Sequence, residues 1–328
     1  MSAIVSRRAA LGATIGGVAL AWAGAARAAY PDRPIRWVVP YAAGGGTDVM
    51  ARLIATEMSS RLAQPVVVEN RPGAGTNIGT EAVARSAPDG YTVLSVDSAA
   101  LVFNAALFRR LPFDPENDFR PVGMFARVPL VLAVGRGVPD RSLQDFVTRA
   151  RAKPGQIDYA SPGIGSPHHL VMELLQKITG IRLNHIPYRG TGPAMNDVVA
   201  GNVESVLVNY ASSAEMFRTG QVRPLAIASG RRLASLPDVP TLTEALGEEM
   251  QTSNWQALVV PRAVPDDVAA RLTAALLDTM RQPAMQARFR EMGLDPAAGT
   301  PDEFERVLAA DRRIWPPLIR TLGISMDG

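Results

Sequence analysis

The 328-residue chain contains no cysteine. Disulfides and thiolate metal sites are therefore excluded, and stability must rest on a large apolar core. Histidine is nearly as scarce: His168, His169 and His185 are the only three. They leave few ligands for a metal and few bases for a serine nucleophile, and no G-x-S-x-G elbow is present. The paired carboxylates Asp114, Glu116 and Asp118, and Glu248 with Glu249, sit in polar connections and read as solvated surface, not as acid/base pairs. No cofactor and no metal are expected, and an enzyme is the weaker functional class.

A surplus of one charge is missing as well. The 34 basic residues face 31 acidic ones, but Arg7, Arg8 and Arg27 belong to a segment built like an export signal. Paired arginines precede an apolar stretch from Ala9 to Ala26 and an Ala26-Arg27-Ala28 cleavage pattern. Ser6-Arg7-Arg8 with Leu11 resembles a twin-arginine signal, with an ordinary secretory signal as the alternative. An uncleaved anchor is disfavoured because the stretch is rich in Gly and Ala and barely long enough to span a bilayer. Cleavage after residues 1–28 leaves 31 basic against 31 acidic residues in a periplasmic protein, so nucleic acid is not an expected partner. About 300 mature residues exceed the usual single domain and predict two.

What the chain has is alternation. IRWVVP (35–40), PVVVEN (65–70) and YTVLS (91–95) read as strands, each near a helix-like run. LPFDPENDFRPVG (111–123) reads as a long surface connection. A second series follows: VPLVLAV, a helix opened by the capping box Ser142-Leu143-Gln144-Asp145, IDYAS, a helix from about Pro167 to Thr179, NHIPY, a helix near 192–200, VESVLV and PLAIAS. LPDVPTLTEAL (236–246) reads as a Pro-rich connection, WQALVVP as a strand and the remainder as helical. This order predicts α/β layers with largely parallel sheets.

Two strand-to-helix loops carry the candidate chemistry. In YAAGGGTD (41–48), Gly44, Gly45 and Gly46 lack the Lys-Ser/Thr pair of a P-loop and the G-x-G-x-x-G spacing, and GAGTNIG (73–79) has Ile78 where a third glycine belongs. Without a nucleotide signature, both still offer backbone N–H groups at a helix start, enough to hold a carboxylate. A glycine turn made only for tightness is the alternative. SPGIGSPHHL (161–170) repeats the construction in the second half. Loops of this kind in two domains can face each other across a cleft. A His169 that caps or packs is preferred to a metal-binding one.

These segments resemble the periplasmic solute receptors of tripartite tricarboxylate transporters, the Bug receptors. The matching pieces are YPDRPIRWVVPYAAGGGTD, QPVVVENRPGAGTNIGTEAVARSAPDGYTVL, AKPGQIDYASPGIG, HIPYRGTGPAMNDVVAG, LASLPDVPTLTEA and the final helices. The resemblance implies an α/β, two-domain, venus-flytrap (type II periplasmic-binding-protein) fold. Domain 1 would comprise residues 30–126 plus 253–328, and domain 2 residues 127–252. It implies a monomeric receptor that captures a small carboxylate and delivers it to membrane permease subunits, or reports it to a sensor kinase. Carried over by position, the carboxylate site falls on Tyr41, Ala43, Gly44, Gly45, Gly46, Thr47 and Asp48, completed by Asp97, Ser98, Ser161, Gly163, Gly165, Ser166, His169, Thr191, Gly192 and Asn209.

The chain departs from the family pattern at three places. Val96-Asp97-Ser98 stands for Gly-Thr-Ser, Val208 for an Asp, and Pro167-His168 for a small hydroxyl pair. If Asp97 reaches the cleft it repels a multiply charged ligand, and the expected ligand has one carboxylate and an amine, hydroxyl or apolar remainder. If Asp97 instead caps a helix, it never meets the ligand.

Overall fold

The computed structural model describes residues 30–250 and 254–327, so the expected export signal lies outside the described residues. Eleven strands among them form two sheets: β1 (Ile35–Val39), β2 (Val66–Asn70), β3 (Thr92–Asp97), β4 (Phe119–Arg127), β5 (Leu130–Gly135), β6 (Asp158–Ser161), β7 (Asn184–Pro187), β8 (Ser205–Asn209), β9 (Val222–Ala228), β10 (Trp255–Pro261) and β11 (Asp295–Gly299). The first sheet has the order β11-β4-β10-β3-β1-β2 and the second β7-β6-β8-β5-β9. Helices cover both sheets, giving an α/β fold of two lobes. No helix among the described residues is long and apolar enough to cross a membrane.

Largely parallel sheets were expected, and the structure corrects this to mixed ones. β1 runs parallel to β2 and β3, and β6 parallel to β7 and β8. β10 is antiparallel to β3 and β4, β11 to β4, and β5 to β8 and β9. The reason lies in the connections. β4 carries the chain out of the first sheet and passes through only Val128 and Pro129 into β5 of the second. β10 brings the chain back beside β4 and therefore runs the opposite way. The two crossing segments are tied where they meet, Val128 N–H donating to the Asn254 carbonyl at 2.7 Å.

Local sequence explains the helices that aim at the cleft. In helix Gly46–Leu62, Met50, Ile54, Met58 and Leu62 recur every four residues and are buried. Each contributes up to roughly 1.5–3 kcal/mol of burial. Helix Pro167–Thr179 begins as Ser166 accepts from His169 N–H with Pro167 in the first turn, and it buries Leu170, Val171, Leu174 and Leu175. Helix Leu143–Ala152 opens on the capping box of Ser142 and Asp145.

Two segments read as connections are more ordered than that. β4 reaches back to Phe119 through Pro121, whose missing N–H coincides with a register irregularity against Val259. Thr241 and Glu244 form a capping box that starts the short helix Leu242–Leu246. The C-terminal helix Pro301–Leu322 closes the first sheet. Its Phe304 and Trp315 meet Trp255 and Phe103 edge-on at 4.8 and 5.4 Å, and Asp311 accepts from the buried Trp255 indole at 2.8 Å.

Candidate functional site

Loops at the carboxyl ends of the parallel strands converge on a cavity of about 760 Å³ between the lobes. The first lobe supplies Pro40, Tyr41 and Ala42 after β1, Pro72, Gly73, Gly75 and Thr76 after β2, and Ala99, Asn104, Leu107 and Phe108 after β3. The second supplies residues 162–167 after β6 and Pro187, Tyr188 and Arg189 at the end of β7. Met326 from the C-terminal tail joins them. A second cavity of about 800 Å³ lies against β11 and the C-terminal helix, lined by Arg127, Glu244, Glu303 and Arg306 among others. No strand-to-helix loop of the parallel strands opens into it.

The glycine loop is held from beneath by a carboxylate. Asp48 is buried and accepts from Gly44 N–H at 2.9 Å, Arg52 Nε at 3.0 Å and Asn70 Nδ2 at 2.9 Å. Arg52 foremost, with Gly44 and Asn70 also contributing, holds its pKa down to about 2 against the effect of burial. Asn70 also donates to the Tyr41 carbonyl at 3.1 Å, so both ends of the loop are pinned. Gly44 takes φ +81°, where a side chain would be strained. Asp48 is thus a structural anion inside the loop.

Helix Gly46–Leu62 starts from Gly45 with no side-chain cap, as do the helices that begin at Asn77, Thr191, Tyr210, Asp266 and Pro283. Ala43, Gly44, Gly45 and Gly46 are exposed and Thr47 half-buried; they follow the cavity-lining Tyr41 and Ala42 in the chain but do not line the cavity themselves, and neither does the buried Asp48. An uncapped helix start leaves N–H donors aligned with the helix dipole, and an anion satisfies both.

Asp97 is turned away from this space. It is buried, accepts from Ala100 N–H at 3.1 Å and takes the Tyr41 hydroxyl hydrogen on its other oxygen. Burial raises its pKa although those bonds oppose the shift, and burial, then Asp97, raises that of Tyr41. Ser98 beside it is fully buried. Neither residue lines the cavity.

In the second lobe Ser166 accepts from His169 N–H at 3.2 Å and donates to the Gly163 carbonyl at 2.7 Å, while Gly165 N–H donates to His169 Nδ1 at 3.1 Å. An accepting Nδ1 places the ring hydrogen on Nε2, 3.8 Å from Glu173. The His169 ring stacks on His185 at 4.1 Å, and His185 on Tyr159 at 4.8 Å. His185 Nε2 lies 2.7 Å from Ser161 Oγ. Burial pushes His169 down to about 3, with His185 adding to the shift, and burial pushes His185 and His168 down to about 4. The column is a set of neutral rings that stiffens the Ser161–Ser166 loop. Among the described residues no group of three or more His, Asp or Glu side chains is placed to hold a metal ion.

Of the residues assigned to the site by sequence, Tyr41, Gly163, Gly165 and Ser166 line the cavity. Ser161 and His169 support their loop from behind, and Thr191 and Gly192 begin the helix that follows Arg189. Asn209 ends β8, where its side-chain oxygen lies 3.5 Å from Asn254 Nδ2 near the crossing. Sequence reasoning missed Thr76, Asn104, Leu107, Phe108, Tyr188, Arg189 and Met326. The GAGTNIG loop was visible, but not the left-handed backbone of Ala74, Gly75 and Thr76, which Asn104 Nδ2 braces through the Gly75 carbonyl at 2.7 Å.

The chain is similar to known proteins over most of its length. The family model described as "Tripartite tricarboxylate transporter family receptor" matches residues 50–324. Protein BugT of Bordetella pertussis is 38% identical over 298 residues, covering 90% of this chain and 91% of the relative. An R. palustris protein solved with adipate is 32% identical with a TM-score of 0.77, covering 90% of this chain and 98% of that one. MatC from Rhodopseudomonas palustris, solved with bound malate, is 31% identical with a TM-score of 0.73, covering 88% and 100%.

Proposed function

The chain belongs to the tripartite tricarboxylate transporter receptor family, whose members are periplasmic binding proteins and not enzymes, and on that premise we propose that it captures a small carboxylate between its lobes for delivery to the transporter's membrane permease. The observation that carries the reading is the uncapped, exposed start of helix Gly46–Leu62, a few residues beyond Tyr41 and Ala42, which line the interlobe cavity. A carboxylate there completes the hydrogen bonding of the first-turn amides and meets the positive end of the helix dipole, with no basic side chain required. Its second contact surface is the Gly163–Ser166 loop of the other lobe. A ligand touching both lobes binds the closed arrangement better than the open one and shifts the population toward it.

The residues around the cavity suit capture better than chemistry. Asp48 is ion-paired, Asp97 is bonded to Tyr41 and Ala100, and His169 Nδ1 is taken by Gly165, so none of the three presents a free base. The lobes we propose are residues 30–126 with 253–328, and 127–252, joined at the Val128 and Asn254 crossing. The protein acts as a monomer exported behind a cleaved signal. Adipate and malate, found in relatives of known structure, are the first ligands to test.

The test is a melting-temperature screen of the mature chain against carboxylates, followed by native mass spectrometry of protein taken from periplasm. A ligand at one hundred times its dissociation constant adds about 2.7 kcal/mol to the folded state, a shift that is easily read. Failure of every carboxylate to raise the melting temperature sinks the proposal. Conversion of a bound ligand over long incubation would replace the receptor by an enzyme.

A further inference from the structure

The C-terminal helix ends at Gly323, yet the chain does not run off into solvent. Met326 N–H donates to the Leu107 carbonyl at 2.8 Å, and the Asp327 carboxylate accepts from Arg109 N–H. These two bonds strap the tail to the first lobe at the edge of the cleft. The Met326 side chain is one of the cavity-lining groups and is 44% exposed. A Cβ built on Gly165, in the second lobe, would stand 3.1 Å from Leu107 Cδ1 and 3.6 Å from Met326 Sδ. Met326 therefore sits on the seam where the lobes meet.

Its neighbours on that wall are the half-buried Phe108 and Ile164, the latter 50% exposed, with the buried Leu107 beside them, and among the described residues no carboxylate lines the cavity. Apolar side chains left open to a cavity gain by covering with an apolar ligand body. A hydroxylated body placed against them gives up water without recovering hydrogen bonds. Methionine is suited to this position because its unbranched thioether adapts to ligands of different outline.

We propose that Met326, carried into the cleft by the C-terminal tail, is a specificity-determining residue of the ligand site and selects carboxylates with an apolar body over hydroxylated ones. This rests on the carboxylate reading above. Calorimetry on the mature chain with adipate and with malate tests it, using Met326→Ser and a chain ending at Ser325. The wild-type chain is expected to bind adipate more tightly than malate. Both variants should weaken adipate by roughly tenfold and leave malate within about twofold, with ligand-free melting temperatures within about 2 °C of wild type. Equal binding of the two acids by the wild type, or variants that change neither acid or change both alike, overturns the role of Met326 while leaving the receptor reading intact. A cooperatively melting wild type that binds neither acid overturns the inference, and it counts against the receptor reading if the wider carboxylate screen also fails.

Discussion

The Tyr41 hydroxyl donates to the Asp97 carboxylate, joining the loop after β1 to the end of β3 at the base of the cleft. The residue that lines the cavity is thereby held by the residue that does not. Asp97 spends its oxygens on Tyr41 and Ala100, so among the described residues no carboxylate faces the cavity to exert the repulsion that would bar a multiply charged ligand.

Tyr41→Phe removes the phenol and leaves a buried oxygen of Asp97 without that partner. The cost is about 1–3 kcal/mol near neutral pH. Burial already raises the Asp97 pKa, so in the window above the unfolded carboxylate value the folded state holds the proton more tightly, and stability falls as pH rises. Loss of Tyr41, which stabilises the charged form, widens that window upward. Urea denaturation should therefore show the smallest difference between Tyr41→Phe and wild type near pH 4 and a growing one toward pH 7. A difference independent of pH would mean that the phenol acts by packing alone.

The glycine loop yields a cleaner variant than sequence alone suggested. A Cβ on Gly46 meets nothing within 4 Å, whereas one on Gly45 approaches the Ala42 carbonyl at 3.3 Å and Gly44 is held at positive φ. Gly46→Val should keep the melting temperature within about 2 °C and weaken carboxylate binding by roughly a hundredfold, or ~2.7 kcal/mol, because its side chain occupies the space before the helix amides. Unchanged binding would move the anion away from this helix start.

How far the site could be read in advance depended on the range of the contacts. The loops 41–48 and 161–166 were legible because glycine and hydroxyl residues follow apolar strands and precede helical spacing, a purely local pattern. The Arg52 partner of Asp48 is likewise a neighbour four positions along a helix. Asn70, which pins the same loop from β2, and Asn104, which braces Gly75 from 29 positions away, carry no local signal. Met326 follows the last helix in a tail without periodicity, and only the fold brings it to Leu107. β11 escaped notice because DPAAG has neither alternation nor β-branched residues and pairs with β4 through a register irregularity.

His168 offers a stabilising substitution. The residue is 7% exposed, and no hydrogen bond of ordinary geometry reaches either ring nitrogen among the described residues, although the Asn209 side chain partly opposes the effect of burial on the ring. An apolar side chain of similar volume has no such desolvation to bear, so His168→Leu should be neutral to stabilising by about 1 kcal/mol at pH 7. A loss of more than 1 kcal/mol in chemical denaturation would point to an ordered water on the ring.

The same burial fixes the response to acid. His168 and His185 are held down to about 4 and His169 to about 3, whereas an unfolded histidine titrates near 6.5. Between roughly pH 6.5 and pH 4 the unfolded chain takes up protons that the folded rings refuse, so stability is complete above that window and falls as pH drops through it. His168 and His169, 7% and 5% exposed, can each approach a slope of about 1.4 kcal/mol per pH unit. The half-buried His185 adds less. Asp97 opposes them, since its raised pKa makes the folded state gain stability as pH falls toward 4. Urea midpoints between pH 7 and pH 4.5 should decline for the wild type. His168→Leu should decline less steeply by about one histidine's share, and His168→Leu with Asp97→Asn more steeply than His168→Leu alone. A flat profile in a chain carrying Asp97→Asn, where the opposing carboxyl is gone, would mean that these rings take up protons as readily folded as unfolded and that the stacked column on Tyr159 is not a set of neutral rings.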